Sequence, residues 1–374
     1  MPASSPTFPT YLQMRERVPV GVWWALRAAG LAVALAVIVA LFVDAPMGFT
    51  IFWGIVVPLL PILFFVAPGF WRNVCPMATL NQLPRVLGFT RALTMPKWFR
   101  EYGYVIGMTL FLLIVPARKL VFEQNGAALG ALLITSLVAP FVAGILLKGK
   151  SGWCSTMCPL LPVQRLYGQT PFLTVRNAHC RPCVGCVKNC YDFNPPVAYL
   201  ADVYDGDAHR SGYRRFFAGI FPGLVVAFHE VPVAPEVDAL SMYTQFGTYL
   251  AVSLGIFYAL EVFLKVTVVR RTSLFALAGL NLYYLYALPA ALERIEGTLG
   301  VAIPDAVVWA ISAALLAASA AWAWRTLRNE GTYVAQTLAK PARVEPSAVV
   351  HLRKPHTPAT GTTAAPAPRQ TPTA

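Results

Sequence analysis

The sequence predicts an all-α integral membrane protein with about eight transmembrane helices. Its 374 residues are 57% hydrophobic and only 13% charged, and their mean hydropathy is +0.57. That leaves too few polar side chains to cover the surface of a soluble domain of this length. The apolar runs approach the roughly 20 residues that cross a bilayer as a helix, and they are continuous rather than alternating, which favours helices over the strands of a barrel.

Eight apolar segments are the predicted spans. The first follows Arg15 and Arg17, but its apolar stretch is too long for a signal peptide, so we expect a retained helix. The third is short and is expected to end at Pro116, because proline interrupts helical hydrogen bonding. The eight segments are 23–43, 49–69, 102–117, 127–147, 216–233, 246–268, 273–291 and 305–324.

Lysine and arginine predict the orientation. With eight spans, 25 of the 30 cations fall on one side, while Arg118, Lys119 and Arg294 fall on the other and Arg27 and Lys265 lie within spans. Cytoplasmic loops carry the excess of these residues, so both termini and both large loops are predicted to be cytoplasmic, in a bacterial-type inner membrane. This topology and anionic lipid account for the net charge of +13 without a nucleic-acid partner.

Four of the seven cysteines lie close together in the second large loop. Cys180, Cys183, Cys186 and Cys190 have the spacing C-x2-C-x2-C-x3-C. Cytoplasmic thiols stay reduced, so this density predicts metal binding rather than disulfides. Zinc sites usually separate two cysteine pairs by a dozen or more residues, whereas this spacing matches the run that holds a [4Fe-4S] cluster in bacterial ferredoxins. The run therefore predicts the iron of a [4Fe-4S] cluster, with a zinc knuckle as the alternative.

The other three cysteines belong to two Cys-Pro motifs. Two of them directly precede a proline, and the third lies one helical turn before one of these two. Cys154 and Cys158 form C-x3-C-P after the fourth span, and Cys75 precedes Pro76 after the second. In two-cluster ferredoxins the fourth cysteine of the run ligates the other cluster and is followed by proline. By that role Cys190 could serve a second site, with the fourth ligand of the first cluster coming from elsewhere, although Tyr191 stands where the pattern has proline. His179 and Asp192, which flank the run, are candidate ligands other than cysteine.

Aligning Cys75 with Cys158 predicts a repeat of a helix pair, 23–76 against 102–159, in which Trp71 takes the place of Cys154. Two complete copies and the four-cysteine run would supply eight thiolates, the number that two cubane clusters need. Trp71 leaves seven. Either one cluster is complete and a second uses another ligand or an open iron, or one cluster exists and three thiols are spare.

These motifs resemble the membrane-bound polyferredoxins of the NapH/NosR type, which are 4Fe-4S binding membrane proteins. The resemblance covers roughly residues 23–200. It implies a part in quinol-linked respiration of nitrate or nitrous oxide, or in oxidase assembly. Trp71, Tyr191 and the lack of a second four-cysteine run depart from the family pattern and put the second cluster in question. The cluster-binding residues that the resemblance implies are Cys75, Cys154, Cys158, Cys180, Cys183, Cys186 and Cys190.

Two pairs of charged residues stand in the later spans. His229-Glu230 is a candidate for quinone binding or proton transfer, because ionisable groups within spans are often functional; the alternative is an interfacial pair that faces water. Glu261 and Lys265, four residues apart, are expected to form an ion pair on one helix face. No nucleotide-binding motif occurs in the sequence.

The predicted organisation has five parts. They are a cytoplasmic N-terminal segment at 1–22, two helix pairs at 23–147 with a Cys-Pro loop at 70–101, a cytoplasmic ferredoxin-like iron–sulfur segment at 148–215, four helices at 216–324, and a cytoplasmic tail at 325–374 that is disordered from about 333.

The predicted function is membrane-bound electron transfer, in which one or two cytoplasmic [4Fe-4S] clusters relay single electrons. The partners would be membrane lipid, a redox protein and quinone, and the chain would be an electron carrier or oxidoreductase subunit rather than a stand-alone enzyme. One alternative is an iron–sulfur redox sensor or an assembly factor for a respiratory enzyme. Another is a transporter with a structural zinc site.

Overall fold

The computed structural model describes residues 18–148, 152–175, 208–232, 238–300 and 302–338. Within these ranges the chain is a bundle of helices, which confirms the all-α prediction. The four-cysteine run, the N-terminal segment 1–17 and the tail beyond Leu338 lie outside the described residues.

Twelve named α-helices and two π-helical stretches make up the described part. They are α1 Val20–Val43, α2 Ala45–Phe49, the π-helix Thr50–Val56, α3 Val57–Val66, α4 Pro68–Val74, α5 Pro76–Val86, α6 Lys97–Ala117, the π-helix Arg118–Phe122, α7 Gly126–Leu146, α8 Leu161–Tyr167, α9 Ala208–Glu230, α10 Ala239–Val262, α11 Val268–Leu299 and α12 Asp305–Leu338.

Seven stretches of the described chain are long and apolar enough to cross a membrane, which indicates a multi-pass membrane protein. The fifth predicted span, 216–233, corresponds to α9, which is not among the seven because arginines in its first turns and a His-Glu pair at its end dilute its apolar stretch. The seven are Val20–Val43, Ala45–Val66, Glu101–Phe122, Gly126–Leu146, Ala239–Val262, Val268–Thr298 and Asp305–Thr332.

Two predicted helix ends are wrong. Helix α6 continues through Pro116 and then widens into the π-helix Arg118–Phe122, because a local change of helical pitch can accommodate the hydrogen bond that proline removes. Helix α12 runs to Leu338, beyond the predicted start of disorder near 333. At about 1.5 Å per residue its 34 residues extend about 51 Å, longer than the hydrocarbon core of a bilayer.

The predicted Glu261–Lys265 ion pair is also wrong. Helix α10 ends at Val262, and Lys265 lies beyond it with a positive φ of 50°, so the i, i+4 relation of a helix does not apply. Glu261 instead accepts a hydrogen bond at 2.8 Å from Arg271, whose side chain is fully buried at the start of α11.

Helix α9 forms much of the core. Its residues Phe217 and Phe221 pack with Tyr167 of α8 and with Trp322 of α12. The Tyr167 hydroxyl donates a 2.9 Å hydrogen bond to the Ala276 carbonyl of α11. The short helix α8 is thereby fixed against the second half of the bundle.

In each helix pair, the short helix that follows the Cys-Pro motif packs against the other pair. Helix α5, which follows the first Cys-Pro, packs on α7 of the second pair, and the Asn81 side chain donates a 2.8 Å hydrogen bond to the Pro140 carbonyl. Helix α8, which follows the second Cys-Pro, packs on α3 of the first pair. This reciprocal packing is what two copies related by an approximate twofold axis would produce, and it joins both Cys-Pro motifs at one end of the bundle.

Candidate functional site

The described cysteines lie at the same end of the bundle, which we call the cysteine end. Cys75 connects α4 to α5, and its extended backbone (φ −53°, ψ 124°) turns the chain between them. Pro76 begins α5, where a missing backbone N–H costs no hydrogen bond. Cys75 is buried, and its backbone N–H donates a 2.8 Å hydrogen bond to the Trp71 carbonyl.

Cys158 occupies the matching place in the second pair, just before α8. It is buried, whereas Cys154, in the preceding turn, is half-buried. The Cys158 thiol accepts hydrogen bonds from the backbone N–H groups of Leu160 and Leu161, at the start of α8. Such donors stabilise negative charge on sulfur and are among the groups that tune iron–sulfur sites.

The three thiols are close enough to interact electrostatically. Burial raises the pKa of the Cys158 thiol above its usual range, and the neighbouring thiols of Cys154 and then Cys75 raise it further. Each thiolate would repel the others, which is the second cause of a raised pKa. The structure therefore brings together the three cysteines that the sequence placed in two separate motifs.

A pair of glycines makes the close packing at both motifs possible. A Cβ on Gly30 of α1 would lie 2.8 Å from the Val74 carbonyl oxygen, next to Cys75. A Cβ on Gly107 of α6 would lie 2.8 Å from the Met157 carbonyl oxygen and 3.0 Å from that of Cys158. In each pair, the first helix thus touches the backbone beside the cysteine through a glycine, which supports the predicted repeat.

Two tryptophans hold the turns before the cysteines, and the sequence reasoning missed one of them. The Trp71 carbonyl accepts from the Cys75 N–H, and the Trp153 carbonyl accepts from the Cys158 N–H at 3.1 Å. By these hydrogen bonds Trp71 corresponds to Trp153. The turn from Trp153 to Cys158 is one residue longer than the turn from Trp71 to Cys75. The predicted equivalence of Trp71 and Cys154 does not describe this backbone. A tryptophan four or five residues before each Cys-Pro was the signal in the sequence.

Basic and phenolic side chains surround the thiols. The Tyr213 hydroxyl of α9 is within electrostatic reach of Cys158 and Arg165, and its ring packs 4.5 Å from that of Tyr104. On the Cys75 side, buried Arg27 donates from Nε to the Asn73 carbonyl at 3.1 Å. Positive charge therefore lies beside both motifs.

The donor set fits an iron–sulfur cluster in its chemistry but not in its number. Cys75 and Cys158 are buried, Cys158 has amide donors, and the indole N–H of Trp153, packed near Cys158, is buried without an acceptor among the described residues. A cubane cluster needs about four ligands. Within the described ranges, no group of three or more His, Cys, Asp or Glu side chains has the arrangement of a metal site.

The remaining predicted ligands cannot be placed beside these three. Cys180, Cys183, Cys186 and Cys190, like His179 and Asp192, lie outside the described residues. The segment that leads to them starts close to the first motif, because Leu173 N–H bonds to the Val66 carbonyl at 2.8 Å and the Val175 carbonyl lies against Gly69.

His229 and Glu230 lie at the opposite end of the bundle. The His229 ring stacks on Tyr286 at 4.5 Å, and the Tyr286 hydroxyl donates to Glu230 at 3.0 Å. Beside them, the Lys119 ammonium donates to the carbonyls of Phe228 and Val231 at the end of α9. A lysine at this place stabilises the negative end of the helix dipole.

The chain matches no family model. No curated protein and no solved structure is significantly similar to it.

Proposed function

We propose that the chain is a membrane-bound electron-transfer protein that holds one or two [4Fe-4S] clusters at its cysteine end. The observation that carries this proposal is that Cys75 and Cys154, from two separate motifs, both lie within electrostatic reach of the buried Cys158. Buried thiols gathered from separate motifs are typical of ligands to a thiophilic metal.

Covalent reach supports a shared site with the four-cysteine run. The described chain stops at Val175 and resumes at Ala208. Both residues lie at the cysteine end: Val175 is next to Gly69, and Ala208 begins the helix that carries Tyr213. Cys180 is five residues beyond Val175. At no more than about 3.6 Å per residue it lies within about 18 Å of Val175.

The side chains of this end have definable roles. The bound group would supply one-electron oxidation and reduction. Cys158 must release a proton to become a ligand, and the amide N–H groups of Leu160 and Leu161 then stabilise its negative charge. Burial of Cys75 and Cys158 excludes water, and the charges of Arg27 and Arg165 favour an anionic centre.

We propose that α9 crosses the membrane as an eighth span. It runs beside α6 in the same direction: Tyr213 meets Tyr104 at the cysteine end, and Phe228 meets Lys119 at the other. Both helices advance fifteen residues between these contacts, about 22 Å. With eight spans the asymmetry of lysine and arginine places both termini and the cysteine end in the cytoplasm of a bacterial-type inner membrane.

Within this proposal, the resemblance to polyferredoxins of the NapH/NosR type suggests the partners: a redox protein at the cytoplasmic face and quinone in the membrane. A sensor or assembly factor would bind the same cluster but would not turn over with quinol. Reduction of the purified protein by added quinol separates that alternative from the first.

Anaerobic purification tests the cluster. The protein is expected to be brown and to carry about four iron and four sulfide per chain for one cluster, or about eight of each for two. Cys183→Ser is expected to remove most of this iron and its EPR signal, since a hydroxyl is a poor ligand for iron in such clusters.

The matched control is Val184→Ser, which introduces the same side chain beside the ligand position. It is expected to keep the iron of the wild type. Stoichiometric zinc without iron in the wild type, or equal iron in both variants, would contradict the proposal.

A further inference from the structure

A large cavity lies within the bundle and reaches both Cys-Pro motifs at one end. It has a volume of about 530 Å³, and its walls are almost wholly apolar. It extends from Pro76 and Pro159 at the cysteine end to Arg118 and His229 at the opposite end. Val33 of α1, which lines it, is 54% exposed, so the cavity opens on a surface of α1 that faces lipid.

A void of this size requires an occupant. Protein interiors leave few voids larger than a water molecule, and water does not fill apolar cavities that offer no hydrogen bonds. The molecules that surround a spanning helix have long apolar chains. An apolar chain from the membrane is therefore the occupant that fits the walls.

The polar end of the cavity gathers the three cations that the sequence assigns to this side of the membrane. Arg118 donates from Nε and Nη2 to Glu123, at 3.0 and 2.5 Å, and Arg294 lies 4.0 Å from the same carboxylate. Lys119 is within electrostatic reach of Glu123 and Glu230. In this described group three cations face two carboxylates.

Arg118 is oriented at the cavity by two aromatic rings. Its guanidinium lies 3.8 Å from the ring centre of Trp53 and 4.6 Å from that of Phe228. The side chain lines the cavity and is 19% exposed. It is thus held in place, and part of its charge remains accessible to a headgroup.

We propose that this cavity binds an anionic phospholipid, with one acyl chain inside and its phosphate at Arg118. The apolar walls hold the chain, and the excess of cations over carboxylates around Arg118 favours an anionic headgroup over a zwitterionic one. Planar guanidinium groups suit phosphate oxygens in particular. The lipid belongs to the leaflet opposite the cysteines.

The position of the polar end argues against a quinone head at Arg118. Arg118 lies fourteen residues beyond Tyr104 on a continuous helical path, about 21 Å from the level of the cysteine end. A quinone ring at Arg118 would be too far from the thiols to exchange electrons with them directly. A bound phospholipid needs no such proximity.

Lipid analysis of the full-length protein tests this proposal. The protein is stripped with detergent, incubated with vesicles of equal phosphatidylglycerol and phosphatidylethanolamine that also contain a long-chain quinone, repurified and analysed by mass spectrometry. The wild type is expected to retain about one phosphatidylglycerol per chain. Arg118→Gln is expected to reduce the preference for phosphatidylglycerol about fivefold, the change expected for loss of one basic group near a headgroup. Arg294→Gln, whose side chain is 39% exposed, is expected to change it in the same direction and decides the matter if Arg118→Gln does not fold.

A matched pair on α1 tests the cavity itself. Ala34 lines it, whereas Ala36 is exposed and does not. Ala34→Phe is expected to reduce bound lipid several-fold, and Ala36→Phe to leave it unchanged. Retention of quinone in place of phospholipid, no retained lipid in the wild type, or equal losses in the two alanine variants would overturn the proposal.

Discussion

The glycine of α6 that lies against the second Cys-Pro motif offers a quantitative test of the site's packing. In Gly107→Ala the new Cβ would meet two backbone carbonyl oxygens, those of Met157 at 2.8 Å and Cys158 at 3.0 Å. Backbone cannot rotate away as a side chain can, so either α6 or the Cys158 turn must shift. Overpacking of this kind costs about 1 to 3 kcal/mol.

The matched control is Gly255→Ala in α10, where a Cβ would meet nothing within 4 Å. Both substitutions gain about 1 kcal/mol of helix propensity, so that contribution cancels when the two are compared. Gly107→Ala is therefore expected to be less stable than Gly255→Ala by about 1 to 3 kcal/mol. Gly30→Ala, 2.8 Å from the Val74 carbonyl oxygen, is expected to show a similar deficit at the first motif.

Reversible unfolding in detergent measures the free energies, and thiol labelling of cluster-free protein shows where the strain falls. Gly107→Ala should increase labelling of Cys158 and leave Cys75 unchanged, while Gly30→Ala should do the reverse. Equal stability of Gly107→Ala and Gly255→Ala would refute the close contact between α6 and the Cys158 turn.

Four further predictions follow from the surroundings of single residues. In cluster-free protein at pH 8, Cys158 should be alkylated at least about tenfold more slowly than Cys154. The raised pKa of Cys158 keeps its thiol protonated, and only the thiolate reacts. Equal rates of alkylation would contradict the burial of Cys158. Because the pKa of Cys158 is higher in the folded chain than in the unfolded chain, its protonated thiol stabilises the fold fully below about pH 8.5. This contribution to the free energy of unfolding declines as the pH rises above that value. Glu261→Gln should destabilise the fold by about 1 to 3 kcal/mol, because it leaves the buried Arg271 charge without its carboxylate. The control Lys265→Gln should have almost no effect. If the two variants unfold alike, the Glu261–Arg271 ion pair contributes nothing to stability. Trp71→Cys should bind no more iron than Trp71→Ser, because position 71 corresponds to Trp153 and not to Cys154; additional iron and a changed EPR spectrum would restore the alignment made from sequence.

Hydropathy was sufficient to place seven of the eight predicted spans, but not their ends. A spanning helix must bury an apolar surface in lipid, so its centre is visible in composition. The extension of α12 to Leu338 consists of residues such as Arg325 and Glu330 that water can solvate, and composition does not distinguish it from a tail. The same limit applies to α6, where Pro116 is tolerated through a change of helical pitch that no local residue signals.

The error at Glu261 has a different cause. Spacing along the chain implies contact only while the helix continues, and α10 ends at Val262. The turn that follows brings the start of α11 back, so that Arg271, ten residues away, reaches the carboxylate. A fully buried arginine requires a partner more strongly than an exposed lysine does, and burial was not visible in the sequence.

The proximity of the cysteines was predictable only through the repeat. No local pattern relates Cys75 to Cys158, which are separated by two spans, but two copies of a helix pair that share an axis must bring equivalent positions together. The exchange of α5 and α8 between the pairs, and the glycines at 30 and 107, satisfy that requirement. The register within each copy was harder to predict, because a single insertion shifts it without changing the motif.

The additional residue of the second turn bears on the odd number of thiols. In both motifs a tryptophan carbonyl accepts the hydrogen bond of the motif cysteine's N–H, from Cys75 to Trp71 and from Cys158 to Trp153. The first turn spans four residues and is a regular helical turn, with Arg72, Asn73 and Val74 between the tryptophan and the cysteine. The second turn spans five residues, and the Trp153 carbonyl also accepts from Thr156 and Met157. Cys154 occupies the additional position, next to the tryptophan. On this alignment Cys154 has no counterpart in the first motif, and the two motifs are expected to contribute unequally to whatever the cysteine end binds.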